Sequence, residues 1–130
     1  MTILIVDDDA GIRQLLVLFL EHKGYTATTV ANGLEALNQL QAAQPLPLLI
    51  LLDLMMPVMD GATFRLAQLS DSRIAAIPVV VLSAAENIAA QAPLLTADAY
   101  IPKPIEFDSL LQIVEQYCQQ RREHDMQAAL

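Results

Sequence analysis

The sequence predicts an α/β fold in which a parallel sheet of five strands is covered on both faces by helices. Three observations lead there. The short apolar runs 3–6, 48–52 and 79–82 have the pattern of strands buried on both faces. Segments with apolar residues at helical spacing separate them. Polar residues close the runs: Asp7-Asp8-Asp9, Asp53 and Ser83, with Lys103 after a run around Tyr100. In a parallel sheet these positions share one edge, where such sheets bind ligands.

The elements follow in order. Residues 2–6 form the first strand. Ile12, Leu15, Leu16 and Phe19 then mark a helix that Gly24 ends. A short second strand spans 27–30, and Asn32-Gly33 turns the chain into a helix carrying Leu34, Leu37 and Leu40. The third strand runs up to Asp53 and is followed by the loop 54–61. A third helix is expected around Phe64, Ala67 and Leu69, leading through Pro78 into the fourth strand. Residues 84–97 should hold a fourth helix, but Pro93 is expected to end or kink it near Gln91 and Ala92. The fifth strand surrounds Tyr100. Phe107, Leu110, Leu111, Val114, Tyr117 and Cys118 line one face of the last helix. One domain over 1–118 is therefore expected. Residues 119–130 are polar, either an extension of the last helix or the stub of a linker. Alternating strands and helices with short connections require right-handed crossovers and fit the flavodoxin-like, doubly wound strand order 2-1-3-4-5.

Composition narrows the function. No apolar stretch reaches the roughly 18 uninterrupted residues of a membrane helix, and the N-terminus has no basic leader, so a cytoplasmic protein without membrane insertion is expected. A net charge of −8 argues against direct nucleic-acid binding, since nothing would neutralise phosphates. The single cysteine, Cys118, sits on an apolar helical face and reads as a small buried hydrophobe. His22 and His124 are isolated from other metal ligands. Where a nucleotide-binding sheet would carry a glycine-rich loop after the first strand, this chain has three aspartates.

Those aspartates set the chemistry. Asp7, Asp8 and Asp53 at adjacent strand ends would crowd like charges, and two such charges 4 Å apart cost about 4 kcal/mol at an effective dielectric near 20. The site must take up a proton, a cation or a basic side chain. Lys103 supplies one positive charge. A divalent ion would supply the rest, and an all-oxygen ligand set selects Mg²⁺ over Zn²⁺ or Cu²⁺. Asp9, immediately before a helix, reads as its N-cap.

With these residues in place, the chain resembles a response-regulator receiver domain of two-component signalling, of the stand-alone, chemotaxis-regulator-like kind, over residues 2 to 118. The resemblance rests on Asp7-Asp8, on Asp53 with Pro57 and Asp60-Gly61 after it, on Ser83-Ala84, on Tyr100 and on Lys103-Pro104. It implies that Asp53 accepts a phosphoryl group from a phosphohistidine on a sensor histidine kinase or phosphotransfer protein. It also implies that Asp8, Asp53 and the backbone carbonyl of Met55 ligate Mg²⁺, with Asp7 acting through water. Lys103 and Ser83 would contact phosphoryl oxygens, the Lys103–Pro104 bond would be cis, and Ser83 and Tyr100 would form the switch. A downstream protein target would read the altered surface, and the chain would be a monomer or weak dimer that catalyses its own phosphorylation and dephosphorylation. Met55 and Ala85 sit where such domains tune self-dephosphorylation; neither side chain can orient an attacking water, which predicts a slow to moderate rate.

Two departures stand out. The stretch from Ser83 to Tyr100 is about two residues shorter than the pattern of the family, and Thr96 stands where members usually have glycine. A short or displaced fourth helix is the expectation. Met55, Met56 and Met59 read as exposed methionines of the site loop. Tyr100 reads either as the switch aromatic or as a half-buried strand residue. Two other functions compete: a receiver-like interaction module that is never phosphorylated, and an Mg²⁺-dependent aspartyl phosphatase. The latter would need an acid/base aspartate two residues after Asp53, where Met55 stands.

Overall fold

A computed structural model describes residues 1–130. Strands β1 (Thr2–Val6), β2 (Thr26–Val30), β3 (Leu49–Leu52), β4 (Val79–Ala84) and β5 (Ala99–Lys103) alternate with five helices. These are α1 (Ala10–His22), α2 (Gly33–Ala42), α3 (Gly61–Leu69), α4 (Ala85–Leu95) and α5 (Phe107–Ala129). All strand pairs are parallel, in the order β2-β1-β3-β4-β5. The doubly wound order predicted from the alternation of strand and helix is the order observed.

The two-residue period of a strand divides the core in two. Leu4, Val6, Ile50, Leu52, Val79 and Val81 face α2, α3 and α4, meeting Ala36, Leu40, Phe64 and Leu95. Ile3, Ile5, Leu49, Leu51, Val80 and Leu82 face α1 and α5, meeting Leu16, Leu20, Leu110, Val114 and Cys118. The central strands β1, β3 and β4 are therefore apolar along almost their whole length, as the sequence pattern required. The buried Cys118 thiol lies 3.2 Å from the sulfur of Met1.

Helix faces were only partly legible. Leu15, Leu18, Leu34 and Leu69 are exposed, so the buried stripe of each helix is narrower than its leucines indicated. On α3 the correction is chemical. The side chains that join Phe64 in the interior are Arg65 and Gln68, not Leu69. Gln68 lies four residues after Phe64 and three after Arg65, which places it between them on the buried side of the helix, and the polar heads find buried partners. Arg65 Nη1 donates to Gln68 Oε1 at 2.8 Å, and Gln68 Nε2 donates to the carbonyls of Ile74 and Ile77, each at 3.0 Å. Those carbonyls belong to the turn that leads into β4, and the amide takes the place of solvent for them.

The fourth helix is also longer than expected. It runs eleven residues and includes Pro93. Pro93 stands in the last turn, where a proline removes one hydrogen bond, to the carbonyl of Ala89, and no further turn is built on it. The helix stops at Thr96, whose φ of 50° and ψ of 43° are left-handed. A glycine adopts this conformation freely, whereas a β-branched residue there is strained. Hydrogen bonds hold Thr96 in place: its carbonyl accepts from Arg65 Nη2 at 2.9 Å, and its hydroxyl donates to the Leu95 carbonyl at 2.7 Å.

Helix α5 continues to Ala129, and residues 119–130 are all exposed along it.

Candidate phosphoacceptor and metal site

The carboxyl ends of β1, β3, β4 and β5 bring the acidic residues, the serine and the lysine together. Register accounts for this. Val6 pairs with Leu52, so Asp7 and Asp53 leave adjacent strands side by side, and Ser83 and Lys103 close the neighbouring pair. Carboxylate oxygens of Asp7, Asp8 and Asp53 lie within 4.8 Å of one another. Asp7 and Asp53 are buried, while Asp8 is exposed.

Asp53 is held at both oxygens. Oδ1 accepts from Ser83 Oγ at 3.0 Å and from the Leu54 amide at 2.8 Å, while Oδ2 lies 3.4 Å from Lys103 Nζ. Asp7 is fixed more tightly still. Its Oδ2 accepts from Lys103 Nζ at 2.8 Å, and its Oδ1 from the Asp9 amide at 2.9 Å. Its own amide donates to Val30, and its carbonyl accepts from Arg13 Nη1 at 2.7 Å. The Lys103–Pro104 peptide is cis.

The charges respond as crowding demands. Burial pushes the Asp7 carboxyl above the usual aspartate value, and the negative charge of Asp53 adds to this, against the bonds from Lys103 and Asp9. Burial alone would lower the Lys103 ammonium. Its bond to Asp7 and the charges of Asp7 and Asp53 outweigh that, so its pKa is raised. Lys103 is therefore a fixed cation, and it neutralises only part of three carboxylates.

The donor set fits a hard divalent cation. Three carboxylates converge, all ligand atoms are oxygens, and the one lysine leaves net negative charge. The Met55 carbonyl, two residues after Asp53, takes no backbone hydrogen bond within the chain.

The loop from Leu54 to Asp60 is shaped by its two ends. Asp60 caps α3 by accepting from the Thr63 amide at 2.8 Å. A Cβ on Gly61 would run into the Asp53 carbonyl and stand 2.9 Å from Leu54 Cα, so only glycine lets α3 start against the strand that carries Asp53. Met56 and Met59 pack against the core, and only Met55 of the three loop methionines is exposed, which corrects the expectation for the other two. The Met55 sulfur lies 3.7 Å from Gln91 Nε2 of α4.

Tyr100 is half-buried against the α4 face of the core. Its hydroxyl accepts from the Ala97 amide at 3.1 Å and donates to the Ala92 carbonyl at 3.3 Å. Asp9 caps α1 through the amides of Gly11 and Ile12, as its place before the helix predicted. Sequence reasoning missed Arg13. Nothing in its local pattern separates it from any arginine on the first turns of a helix.

Comparison with known proteins agrees with this geometry. Residues 3–115 match the model of the response regulator receiver domain. Response regulator Rre1 of Synechocystis is 36% identical over 87% of the chain and 49% of its own length. Several curated relatives are of that kind: the chain spans about half of their length (49%, 54% and 45%). An uncharacterised 14.6 kDa protein of Leptolyngbya boryana, 37% identical, is matched over 91% of this chain and 90% of its own. Among solved structures, the receiver domain of a signal-transduction histidine kinase from Syntrophus aciditrophicus superposes with a TM-score of 0.84. It is 30% identical, over 92% of this chain and 90% of that one. No helix of the structure is long and apolar enough to cross a membrane. By sequence, strand order and residues gathered at one edge of the sheet, this chain belongs to the response regulator receiver domain family.

Proposed function

We propose that the chain is a phosphorylation-controlled switch in which Asp53 accepts a phosphoryl group from a phosphohistidine of a sensor kinase or phosphotransfer protein, with Mg²⁺, in the cytoplasm. The observation that carries this is the surroundings of Asp53: a lysine at 3.4 Å, a hydroxyl at 3.0 Å and two further carboxylates within 4.8 Å. Asp8, Asp53 and the Met55 carbonyl would hold the ion, with Asp7 acting through water. When bound, Mg²⁺ supplies charge neutralisation for the incoming phosphoryl oxygens.

The chain's own residues do the remaining work. An Asp53 oxygen forms the new P–O bond as the P–N bond to the donor imidazole breaks, and the imidazole leaves with that electron pair. Lys103, kept positive by Asp7 and Asp53, meets the charge on the transferred group. Asp7 keeps the lysine aimed at the site through its 2.8 Å bond. Ser83 already donates to Asp53, and on phosphorylation it turns to a phosphoryl oxygen.

The switch involves Ser83 and Tyr100. Ser83 lies on β4 and Tyr100 on β5, whose backbones pair through Val81–Tyr100 and Ser83–Pro102. A shift of the loop after Ser83 moves the start of α4, while the Tyr100 hydroxyl holds the end of that helix. Turning Tyr100 breaks two hydrogen bonds at the α4–β5 corner, which alters the surface that a downstream protein reads. Met55 and Ala85 give no group to orient water, so the phosphorylated state is expected to decay slowly or moderately.

Acetyl phosphate with Mg²⁺ tests the reading. The chain should gain about 80 Da, the mass of one phosphoryl group; Asp53→Ala should gain none. An unmodified wild type at saturating Mg²⁺ would make the domain an interaction module instead.

A further inference from the structure

Arg13 stands beside the acidic pocket, and neither the family resemblance nor the chemistry above gives it a role. Its guanidinium lies 2.7 Å from the Asp7 carbonyl, a charge-assisted bond from α1 back to the residue where β1 leaves the sheet. No carboxylate lies within 4 Å of it, so its cationic head is engaged by a backbone oxygen and not by an acid.

The bond completes the fixation of one residue. Asp7 bonds through its amide to β2, through Oδ1 to the Asp9 amide, through Oδ2 to Lys103 and through its carbonyl to Arg13. The Asp9 bond closes a turn across the Asp7–Asp8 peptide, and the bond from Arg13 is the one that grips the carbonyl of that peptide itself. Asp8 is the next residue, exposed and with no hydrogen bond to its side chain to aim it. The peptide that Arg13 grips is therefore the one that sets where Asp8 begins. The backbone of Arg13 is itself anchored, because its amide donates to the Asp9 carbonyl at 3.0 Å within the first turn of α1.

We propose that Arg13 is a positioning residue for the metal site: by clamping the Asp7 carbonyl it orients Asp8 toward the cation shared with Asp53. The inference rests on the Mg²⁺-dependent reading of the site. It predicts a sign that simple electrostatics would reverse. An arginine that acted only as a nearby positive charge would repel Mg²⁺, and its removal would tighten binding. An arginine that positions a ligand makes binding weaker when it is lost, by about tenfold, the lower end of what partners of metal ligands contribute.

Calorimetric titration of Mg²⁺ into the full chain separates these cases. It is run on wild type, Arg13→Ala, Arg13→Met and Arg13→Lys, beside the Mg²⁺ dependence of phosphorylation by acetyl phosphate. Arg13→Ala should bind Mg²⁺ about tenfold more weakly and need correspondingly more for half-maximal phosphorylation, with the rate at saturating Mg²⁺ largely kept. Arg13→Lys, which retains a donor and a charge, should recover most of the affinity. Arg13→Met spans a similar length without either, and serves in place of the alanine variant if that one does not fold. Unchanged or tighter Mg²⁺ binding in the alanine and methionine variants overturns the proposal. A wild type that binds no Mg²⁺ and takes no phosphoryl group sinks the underlying reading instead, so the two failures are told apart.

Discussion

The two ends of α4 lie against regions built on opposite principles. Near its start, the acidic edge gathers like charges that folding alone would keep apart. Asp7 carries a raised pKa, and one lysine serves three carboxylates. At its end, the corner where α4 meets β5 gathers polar groups that satisfy one another: Arg65 with Gln68 and Thr96, Asp98 with the Val79 amide at 2.8 Å, Tyr100 with two backbone groups. The first region gives up stability in the absence of a ligand. The second gains its order from the chain itself, although Arg65 keeps an unpartnered Nε in the interior and Thr96 a strained backbone. A site for chemistry and a mechanical joint thus differ in whether their charges are balanced: one lysine faces three carboxylates at the first, and Arg65 faces Asp98 at the second.

Substitutions sharpen the contrast. The largest effect is expected at Lys103→Met, which removes the only ammonium at the acidic edge. Phosphorylation by acetyl phosphate should slow by about a hundredfold, a magnitude typical of one lost electrostatic stabiliser. A rate within threefold of wild type would mean that the lysine is there to steady Asp7 and not to serve transfer. Arg65→Met should act the other way. Loss of the guanidinium leaves Gln68 Oε1 and the Thr96 carbonyl without donors, costing about 1–3 kcal/mol in chemical unfolding. Its phosphorylation rate should stay near that of wild type.

Thr96→Gly should stabilise the chain. Relief of the left-handed backbone is worth about 1–2 kcal/mol, offset by roughly 0.5–1 kcal/mol of glycine entropy, so a gain of up to about 1.5 kcal/mol is expected. A loss in urea denaturation would show that the threonine hydroxyl bond to Leu95 outweighs the strain.

The smallest effect is a pH dependence without Mg²⁺. Because the folded pKa of Asp7 exceeds its ordinary 3.8, the native state binds that proton more tightly than the unfolded chain. Ionised Asp7 therefore destabilises the fold, and protonation relieves the penalty as pH falls. Asp7→Asn should be more stable than wild type at neutral pH, with the difference closing at a pH above 3.8. Lys103 has the opposite dependence: its raised pKa adds stability that is complete below 10.5 and is lost only as pH rises through the folded value. A stability difference between Asp7→Asn and wild type that stays constant from pH 7 to pH 4 would contradict a perturbed Asp7.

The contrast also explains what was legible in the sequence. Strands announced themselves because β1, β3 and β4 are buried on both faces and cannot carry polar residues until they end. That same rule made Asp7, Asp53 and Ser83 conspicuous, since a polar residue closing an apolar run marks the functional edge of a parallel sheet. The α4–β5 corner lacked such a signal. Pro93 is a helix breaker only when turns must follow it, and nothing local said that the helix stops two residues later. Arg65 and Gln68 look like solvent-facing residues, because their burial depends on carbonyls from residues 74, 77 and 96, which a single helix pattern does not contain. Leu69 was misjudged for the same reason: the interior chose the face around Phe64. Arg13 was invisible because its partner is a backbone oxygen.

The most direct test is to locate the covalent bond. The chain would be treated with Mg²⁺ and phosphoramidate, whose P–N bond resembles that of phosphohistidine, then reduced with borohydride, which converts an acyl phosphate to an alcohol, and mapped by peptide mass spectrometry. Conversion of residue 53 to homoserine, dependent on Mg²⁺ and absent in Asp53→Asn, is the predicted result. Conversion at Asp7 or Asp8 instead, or at no residue under saturating Mg²⁺, would contradict it.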